Sequence, residues 1–255
     1  MNADDAVYPS LKGRAVFITG GASGIGESMV AHFAAQGSRV AFVDIQDEAA
    51  RALGARIQAA GQPAPYYVHC DLRDIAALRA AIAEAAEAVA PFAVLVNNAA
   101  NDQPHDWRKV TVEDWDDRLA VNLRHHFFAI QAIAPMMAAQ GGGSIINLGS
   151  ASWHKRRGGM PGYTTSKGGI EGLTRSMARD LGADNIRINC VVPAQVFTER
   201  QLAGKTAAYL ADRLAEQCLN RQLLAPDVAR LVLWLAADDS RMCTAQNWHV
   251  NAGSV

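Results

Sequence analysis

The stretch Thr19-Gly20-Gly21-Ala22-Ser23-Gly24-Ile25-Gly26 stands between a short apolar run that begins at Arg14 and a helical pattern. The apolar run, stopped by glycines, predicts a buried strand. Glycines let the backbone approach a pyrophosphate, and a helix N-terminus supplies amide donors and a positive dipole. The spacing Gly-x-x-x-Gly-x-Gly differs from the usual fingerprint, but its place between a strand and a helix predicts dinucleotide binding. The candidate cofactor-binding residues here are Gly20, Ser23, Gly24, Ile25 and Gly26.

Strands and helices alternate along the rest of the chain. Predicted strands lie at 14–19, 39–43, 66–70, 92–96, 144–148, 187–192 and 246–250, with helices at 24–36, 75–89, 112–139 and 162–181 and an Ala-rich helix ending near residue 60. Such alternation requires a parallel sheet with helices on both faces. No repeat or linker interrupts it. The sequence therefore predicts an α/β, Rossmann-type doubly wound sheet of about seven strands in a single domain over residues 1–255, with residues 1–10 flexible.

Composition limits the classes of function. Half of the 255 residues are hydrophobic and the net charge is −1, so no basic surface for nucleic acid or an anionic membrane is predicted. The acidic N-terminus leads into no apolar segment and is not a secretory signal, which makes the cytoplasm the expected location. The four cysteines and seven histidines show no metal-ligand spacing, so no metal site is predicted.

Polar residues follow the predicted strands, where ligands bind in a doubly wound sheet. Asp44 ends the second strand, and its carboxylate can accept hydrogen bonds from the adenosine ribose and repel a 2′-phosphate, which favours NAD over NADP. Asp71 and Leu72 follow the third strand, where Asp71 can meet the adenine amino group or cap the next helix. Asn98 follows the fourth strand, in a segment whose backbone could line the cofactor.

Tyr163 and Lys167 are four residues apart, and Ser150 lies thirteen positions before the tyrosine. On a helix this spacing puts both side chains on one face, one turn apart. A phenol titrates near about 10, so it needs help to act as a base, and an ammonium held close favours the phenolate. The spacing fits a catalytic tyrosine that exchanges a proton near neutral pH. The alternative interpretation is that the two residues are an ordinary solvent-exposed pair on a helix.

Together these motifs resemble the short-chain dehydrogenase/reductase family over nearly the whole chain, including Asn122 within Ala-Val-Asn-Leu. The resemblance implies that Tyr163 is the catalytic base and that Lys167 lowers its pKa while bonding the nicotinamide ribose. It implies that Ser150 orients the reacting oxygen. Asn122 would hold a helix break and the water of a proton relay.

The same resemblance assigns the loop after the sixth strand to the nicotinamide carboxamide, through Pro193, Val196 and Thr198. Two positions depart from the family pattern. Ala194 replaces the usual glycine, so its methyl would intrude near the nicotinamide if a positive φ is needed there. Asn251-Ala252-Gly253 replaces Asp-Gly-Gly, which we expect to affect packing or subunit contacts.

Three stretches, 97–102, 198–201 and 240–246, resemble the branch of the family that oxidises free aldoses at C1. Polar loops suit a polyol, whereas a steroid or fatty-acyl pocket would be more apolar. Residues 197–224 are expected to form a helical segment that covers the substrate. The predicted substrate-binding residues are Asn101, Ser150, Ser152, His154, Tyr163, Gln195 and Glu199.

Several alternatives stay open on the sequence. Lys155-Arg156-Arg157 is either a solvated loop or a site for a sugar acid or sugar phosphate. Besides an NAD-dependent aldose dehydrogenase that yields an aldonolactone, the chain fits a dehydrogenase of another polyol, alcohol or ketone. This class includes 3-oxoacyl reduction, which Asp44 disfavours. A non-catalytic dinucleotide-binding regulator would lack one of the four catalytic residues. The resemblance also implies a homotetramer or homodimer, with His125 and His126 in an interface or the core.

Overall fold

A computed structural model describes residues 5–89 and 91–254. These residues form one seven-stranded sheet in the order β3-β2-β1-β4-β5-β6-β7, and every neighbouring pair is parallel. The order reverses between β1 and β4, which is where a doubly wound sheet binds its ligand. The predicted fold class is confirmed. The strands are β1 (Ala15–Thr19), β2 (Arg39–Asp44), β3 (Tyr66–His69), β4 (Phe92–Asn97), β5 (Gly143–Leu148), β6 (Ile186–Pro193) and β7 (Asn247–Val250).

Helices cover both faces of the sheet. Within the described residues, no helix combines the length and the apolar character needed to cross a membrane. The α-helices are α1 (Gly24–Ala35), α2 (Asp47–Ala59), α3 (Ile75–Val89), α4 (Val112–Leu119), α5 (His125–Ala139), α6 (Pro161–Leu181), α7 (Glu199–Leu202), α8 (Ala207–Ala215) and α9 (Ala225–Ala236).

The core forms on both sides of the sheet because alternate residues of a strand face opposite ways. All five residues of β1 are buried. Val16 and Ile18 pack in one cluster with α1, α2 and α9, while Ala15 and Phe17 pack in another with α3 and α5. A strand buried on both faces explains the continuous apolar run in the sequence. Helix α9, which packs against α1, was not predicted.

The single long helix predicted at 112–139 is wrong. A π-helix at Ala120–Arg124 separates α4 from α5, whereas Pro135 stays inside α5. Thr111 begins α4 with a capping box to Asp114. The π-helix directs the buried side chain of Asn122 towards the loop that follows β4.

The predicted flexibility of residues 1–10 falls partly outside the described residues, since 1–4 are not described. From residue 5 onward the segment packs on the domain. The backbone amide of Tyr8 donates to Gln36 Oε1 at 2.8 Å, and Leu11 is fully buried at the end of a 3₁₀ turn. The described part of this segment is therefore part of the folded domain.

Candidate active site

The glycine-rich stretch forms the tight turn between β1 and α1. Gly20 has a φ of +68°, and a Cβ there would lie 2.8 Å from Ala99 Cα. Gly24 begins α1 with a φ of +58°. The Asn98 amide donates to the carbonyls of Thr19 (3.1 Å) and Gly20 (2.8 Å). Asn98 thus holds the turn through its side chain.

The start of α1 keeps its amide groups available. Ser23 is the N-cap, but its side chain makes no capping hydrogen bond, and its hydroxyl accepts instead from Gln46 Nε2 at 3.1 Å. Ile25 and Gly26 follow in the first turn. A helix N-terminus of this kind fits a pyrophosphate.

Asp44 lies at the end of β2 and is 8% exposed. Its carboxylate accepts from the backbone amides of Ala22 (2.9 Å), Ile45 (2.8 Å) and Gln46 (3.0 Å). The carboxylate therefore joins the glycine-rich turn to the end of β2. Carboxylate oxygens can accept further bonds, so this position suits a ribose diol.

Asp71 does not cap α3. Its carboxylate pairs with Arg73 at 2.6 Å, and this hydrogen-bonded guanidinium holds the pKa of Asp71 below its usual value. Asp74 caps the helix instead, because its Oδ1 accepts from the amides of Ala76 and Ala77. Asp71 follows the edge strand β3, and Leu72 is buried next to it.

Two elements bring the Ser–Tyr–Lys set together. Ser150 follows β5, and Tyr163 lies in the first turn of α6 with Lys167 one turn later. The Ser150 hydroxyl lies close enough to the Tyr163 phenol to lower its pKa, while its proton goes to Ser152 Oγ at 3.0 Å. Lys167 Nζ donates to the Leu148 carbonyl at 2.6 Å and lies 5.6 Å from the centre of the tyrosine ring. The spacing argument for one helix face is confirmed.

Burial dominates the ionisation of both helix residues. It raises the pKa of Tyr163 to about 12, although the nearby Ser150 hydroxyl lowers it. Burial lowers the pKa of Lys167 to about 8. Because burial keeps the pKa of Tyr163 at about 12, the closeness of Lys167 does not by itself give a phenolate at neutral pH.

Asn122 clamps the loop after β4. Its Oδ1 accepts from the Asn101 amide at 2.8 Å, and its Nδ2 donates to the carbonyls of Asn101 (3.1 Å) and Arg118 (3.0 Å). The predicted helix break is present, and the side chain is fully buried. Asn122 thereby places Asn101 at the site.

The loop after β6 closes on the glycine-rich turn. Pro193 ends β6, and Val196 forms a bridge with Leu223. Thr198 caps α7, and a Cβ at Gly24 would lie 3.5 Å from its methyl group. The loop therefore lies beside the glycine-rich turn.

The two departures from the family pattern, Ala194 and Asn251-Ala252-Gly253, differ in backbone conformation. Ala194 has no positive φ, so the backbone conformation under which its methyl group was expected to intrude is not present. Ala252 does adopt the left-handed region, with a φ of +53°. Its carbonyl accepts from the amides of Cys218 (2.9 Å) and Leu219 (3.0 Å), which ties the C-terminal turn to the end of the covering segment. The second departure thus concerns packing.

The predicted substrate residues fall into two groups. Ser152 accepts a hydrogen bond from Ser150 at 3.0 Å and so lies beside the hydroxyl set, whereas Gln195 donates to Gln201 at 3.1 Å. Glu199 is exposed in the first turn of α7. His154 is held elsewhere, by the carboxylate of Glu171.

Glu171, which was not predicted, organises the loop after β5. It is 6% exposed and accepts from Trp153 Nε1 (2.9 Å) and Asn247 Nδ2 (2.5 Å). His154 Nε2 lies 2.8 Å from the same carboxylate, and its ring stacks on Trp153. His154 is therefore committed to this cluster and to His249, whose ring lies 5.1 Å away. No spacing in the sequence connects these positions.

His125 and His126 are core residues. Both are fully buried, with ring centres 4.4 Å apart. Burial, and then the charge of Lys167, lowers the pKa of His125 to about 3, and burial also lowers that of His126. Neutral imidazoles fit this interior. Across the described residues, no group of three or more His, Cys, Asp or Glu is arranged to hold a metal.

The sheet is doubly wound and its first turn is rich in glycine. Ser150 lies after β5, and Tyr163 lies at the start of α6. These features together are typical of a dinucleotide-binding oxidoreductase. Comparison with known proteins narrows the class. A family model described as enoyl-(acyl carrier protein) reductase matches residues 20–254. The chain is 49% identical over 249 residues to D-xylose 1-dehydrogenase of Caulobacter vibrioides, covering 97% of this chain and 98% of that protein. It is 45% identical over 257 residues to "Probable galactose dehydrogenase GalD" of Rhizobium meliloti, covering 99% of both.

Solved structures agree with the fold. A 3-oxoacyl-[acyl-carrier protein] reductase with bound NAD from Brucella melitensis is 27% identical, with a TM-score of 0.87 over 97% of this chain and 93% of that one. A blue fluorescent protein from a metagenomic library in complex with NADPH is 33% identical, with a TM-score of 0.89 over 96% and 99%. The chain belongs to the short-chain dehydrogenase/reductase family.

Proposed function

We propose that the protein is an NAD-dependent aldose 1-dehydrogenase, which passes a hydride from C1 of a free aldose to NAD⁺ and releases an aldonolactone. The family makes it an oxidoreductase of CH–OH groups. The observation that carries the proposal is that the side chains of Ser150 and Tyr163 lie close together, with Lys167 one helical turn away. The two sugar dehydrogenases that share 49% and 45% of its residues support the substrate class.

The mechanism assigns each residue a position around the C1 hydroxyl. Ser150 and Tyr163 both hydrogen-bond the hydroxyl, and Tyr163 takes its proton. The nicotinamide of NAD⁺, when bound, would supply the hydride acceptor and a positive charge beside the phenol. That charge and the Lys167 ammonium together offset the burial that raises the pKa of Tyr163 to about 12. Asn122 keeps Asn101 at the site through the backbone.

The cofactor is a nicotinamide dinucleotide. The residues at the turn fit it, because Gly20 leaves no room for a side chain and the start of α1 has free amide donors. Asp71 and Leu72 would lie by the adenine, and Pro193, Val196 and Thr198 by the carboxamide. NAD is favoured over NADP, since the buried carboxylate of Asp44 would repel a 2′-phosphate.

The polar surroundings of Tyr163 support a polyol substrate. Asn101, Ser152, Gln195 and Glu199 would contact its hydroxyl groups, while His154 would contribute through the loop that Glu171 holds. A site built to bond a hydroxyl loses those bonds when the hydroxyl is inverted, so the enzyme should distinguish epimers. Reduction of a 3-oxoacyl substrate is the weaker alternative. The 3-oxoacyl-[acyl-carrier protein] reductase is 27% identical to this chain, whereas the two sugar dehydrogenases are 49% and 45% identical.

The test is turnover of a panel of aldoses with NAD⁺ and NADP⁺, followed by NADH or NADPH absorbance. We expect at least one pentose or hexose to reduce NAD⁺. Tyr163→Phe should lower kcat by about 10²–10⁴-fold while NAD⁺ binding survives, because the base is lost and the fold is not. A variant that keeps more than about a tenth of the wild-type kcat would remove Tyr163 from the role of base.

Two further expectations accompany this proposal. The protein should be a homotetramer or homodimer, which light scattering after size exclusion would measure. Its location should be the cytoplasm, which fractionation of the source cells would test. The substrate is a small polar molecule, and no nucleic acid or membrane partner is proposed.

A further inference from the structure

Glu171 joins the helix of Tyr163 to the turn that follows β5. It lies about two turns after Tyr163 on α6 and is 6% exposed. Its Oε1 accepts from Trp153 Nε1 at 2.9 Å and from His154 Nε2 at 2.8 Å, and its Oε2 accepts from Asn247 Nδ2 at 2.5 Å. An ionised carboxylate has only acceptor sites, so it can satisfy three donors at once. Three segments of the chain therefore meet on one buried side chain.

The turn after β5, residues 151–156, is closed by its own backbone. The amide of Lys155 donates to the Ala151 carbonyl at 3.0 Å, and the amide of Arg157 donates to the Ser152 carbonyl at 3.1 Å. The two side chains that donate to the carboxylate come from the middle of this turn. Their hydrogen bonds therefore hold the turn as a unit against α6.

The same turn fixes the Ser150 hydroxyl. That hydroxyl donates to Ser152 Oγ at 3.0 Å and accepts from the Ser152 amide at 3.2 Å. Because Ser152 belongs to the turn, a displaced turn would carry the Ser150 hydroxyl away from Tyr163.

The turn has other attachments, which lead away from α6. Lys155 Nζ donates to Glu216 Oε2 at 3.1 Å, in segment 197–224, and to the Ser254 hydroxyl in the C-terminal turn. The attachment to Glu171 reaches the helix that carries Tyr163, so it bears most directly on the distance between the two hydroxyl groups of the site.

We propose that Glu171 is a positioning residue, which holds the turn 151–156 against α6 and thereby sets where the Ser150 hydroxyl lies relative to Tyr163. Both hydroxyl groups must reach the same substrate oxygen, and a misplacement of about 1 Å can cost about 10²-fold in rate. Glu171 acts through the turn and not on the substrate. The inference rests on the proposed function, because it takes Ser150 and Tyr163 as the groups that bind the reacting hydroxyl.

The test compares Glu171→Leu with Glu171→Gln. Leucine fills the position without an acceptor and leaves the donors of Trp153 and His154 unpaired. Glutamine keeps one oxygen that accepts from both. Its amide nitrogen would face Asn247, whose amide can rotate to accept from it, because Asn247 Oδ1 has no hydrogen-bond partner among the described residues.

Ser38→Ala is the control for loss of a buried hydrogen bond away from the site. Ser38 is fully buried before β2, at the opposite edge of the sheet from the site, and donates to the Leu11 carbonyl at 2.8 Å. Each variant is measured in two ways. One is kcat with saturating NAD⁺ and the sugar that the panel identifies. The other is hydrogen–deuterium exchange of the peptide that spans residues 150–157.

The exchange measurement keeps this inference separate from the proposed function. It reports the amides of Lys155 and Arg157 and needs no turnover. If no aldose reacts, the aldose assignment fails in the sugar panel, and kcat is then measured with the alcohol that does react.

Glu171→Leu should lower kcat by about 10–10²-fold, speed exchange in the peptide and leave the Kd of NAD⁺ unchanged. Glu171→Gln and Ser38→Ala should do none of these. If Glu171→Leu does not fold, Trp153→Phe keeps an aromatic ring, removes one donor to Oε1 and should show smaller effects of the same kind.

Four results would overturn the proposal. They are a wild-type kcat in Glu171→Leu, a lower kcat without faster exchange, a Glu171→Gln variant as slow as Glu171→Leu, and an equal loss of kcat in Ser38→Ala.

Discussion

Replacement of Lys167 by methionine removes an ammonium that the fold holds in its interior. Lys167 is 1% exposed, and burial lowers its pKa from 10.5 to about 8. The unfolded chain has an ordinary lysine. Between the two pKa values the unfolded state therefore binds more protons than the folded state, and the folding stability of the wild type rises with pH. The Lys167→Met variant lacks this contribution.

The size of the effect follows from the two pKa values. One unit corresponds to about 1.4 kcal/mol, so the stability of the wild type relative to Lys167→Met should rise by about 2.5 kcal/mol from about pH 7 to pH 10. Other titrating groups are shared by both proteins and cancel in the difference. Urea unfolding at a series of pH values measures it.

Lys12→Met, at an exposed position, is the matched control for loss of one positive charge. The Lys167 variant should also lose most of its turnover, because the phenol then lacks a neighbouring cation. A stability difference that stays constant with pH would refute the buried ammonium, and with it the electrostatic role given to Lys167.

Two further substitutions test the cofactor and the loop clamp. Asp44→Ala should lower kcat/KM for NAD⁺ by about 10–100-fold and narrow the gap to NADP⁺, since bonds from a carboxylate to the ribose are lost; equal kcat/KM values for the two cofactors in the unmodified protein would contradict the assignment. Asn122→Ala should lower the free energy of unfolding by about 2–4 kcal/mol in urea titrations, because three buried hydrogen bonds disappear. A loss below about half a kcal/mol would show that Asn122 does not clamp the loop.

The sheet could be predicted because its strands are buried on both faces or bounded by glycines, which is visible in a continuous apolar run such as that of β1. The break between α4 and α5 was not visible in the hydrophobic period, which a π-helix hardly disturbs, and only the family resemblance at Asn122 implied it. Helix α9 was missed, although Pro226 and Asp227 at its start are helix-start signals. The N-cap of α3 was also missed. Asp74 accepts hydrogen bonds from the amides of Ala76 and Ala77, and an aspartate directly before a helix is a recognisable N-cap signal in the sequence.

The site was predictable where it is local in sequence. Tyr163 and Lys167 share one helix face, so their spacing was sufficient. The buried Glu171 and the pair of Asp102 with Arg200 join segments that are far apart along the chain. Such contacts depend on how loops fold back on the sheet, and neither periodicity nor spacing reports that.

The direct test of the central claim is the fate of the hydrogen at C1. D-Xylose or D-galactose that carries deuterium at C1 should be incubated with the enzyme and NAD⁺, and the reduced cofactor analysed by mass spectrometry. Hydride transfer from C1 predicts that the deuterium appears in the nicotinamide and that the sugar product is the aldonolactone. Reduced cofactor without deuterium, or no reduction by any aldose while another alcohol reacts, would contradict the account.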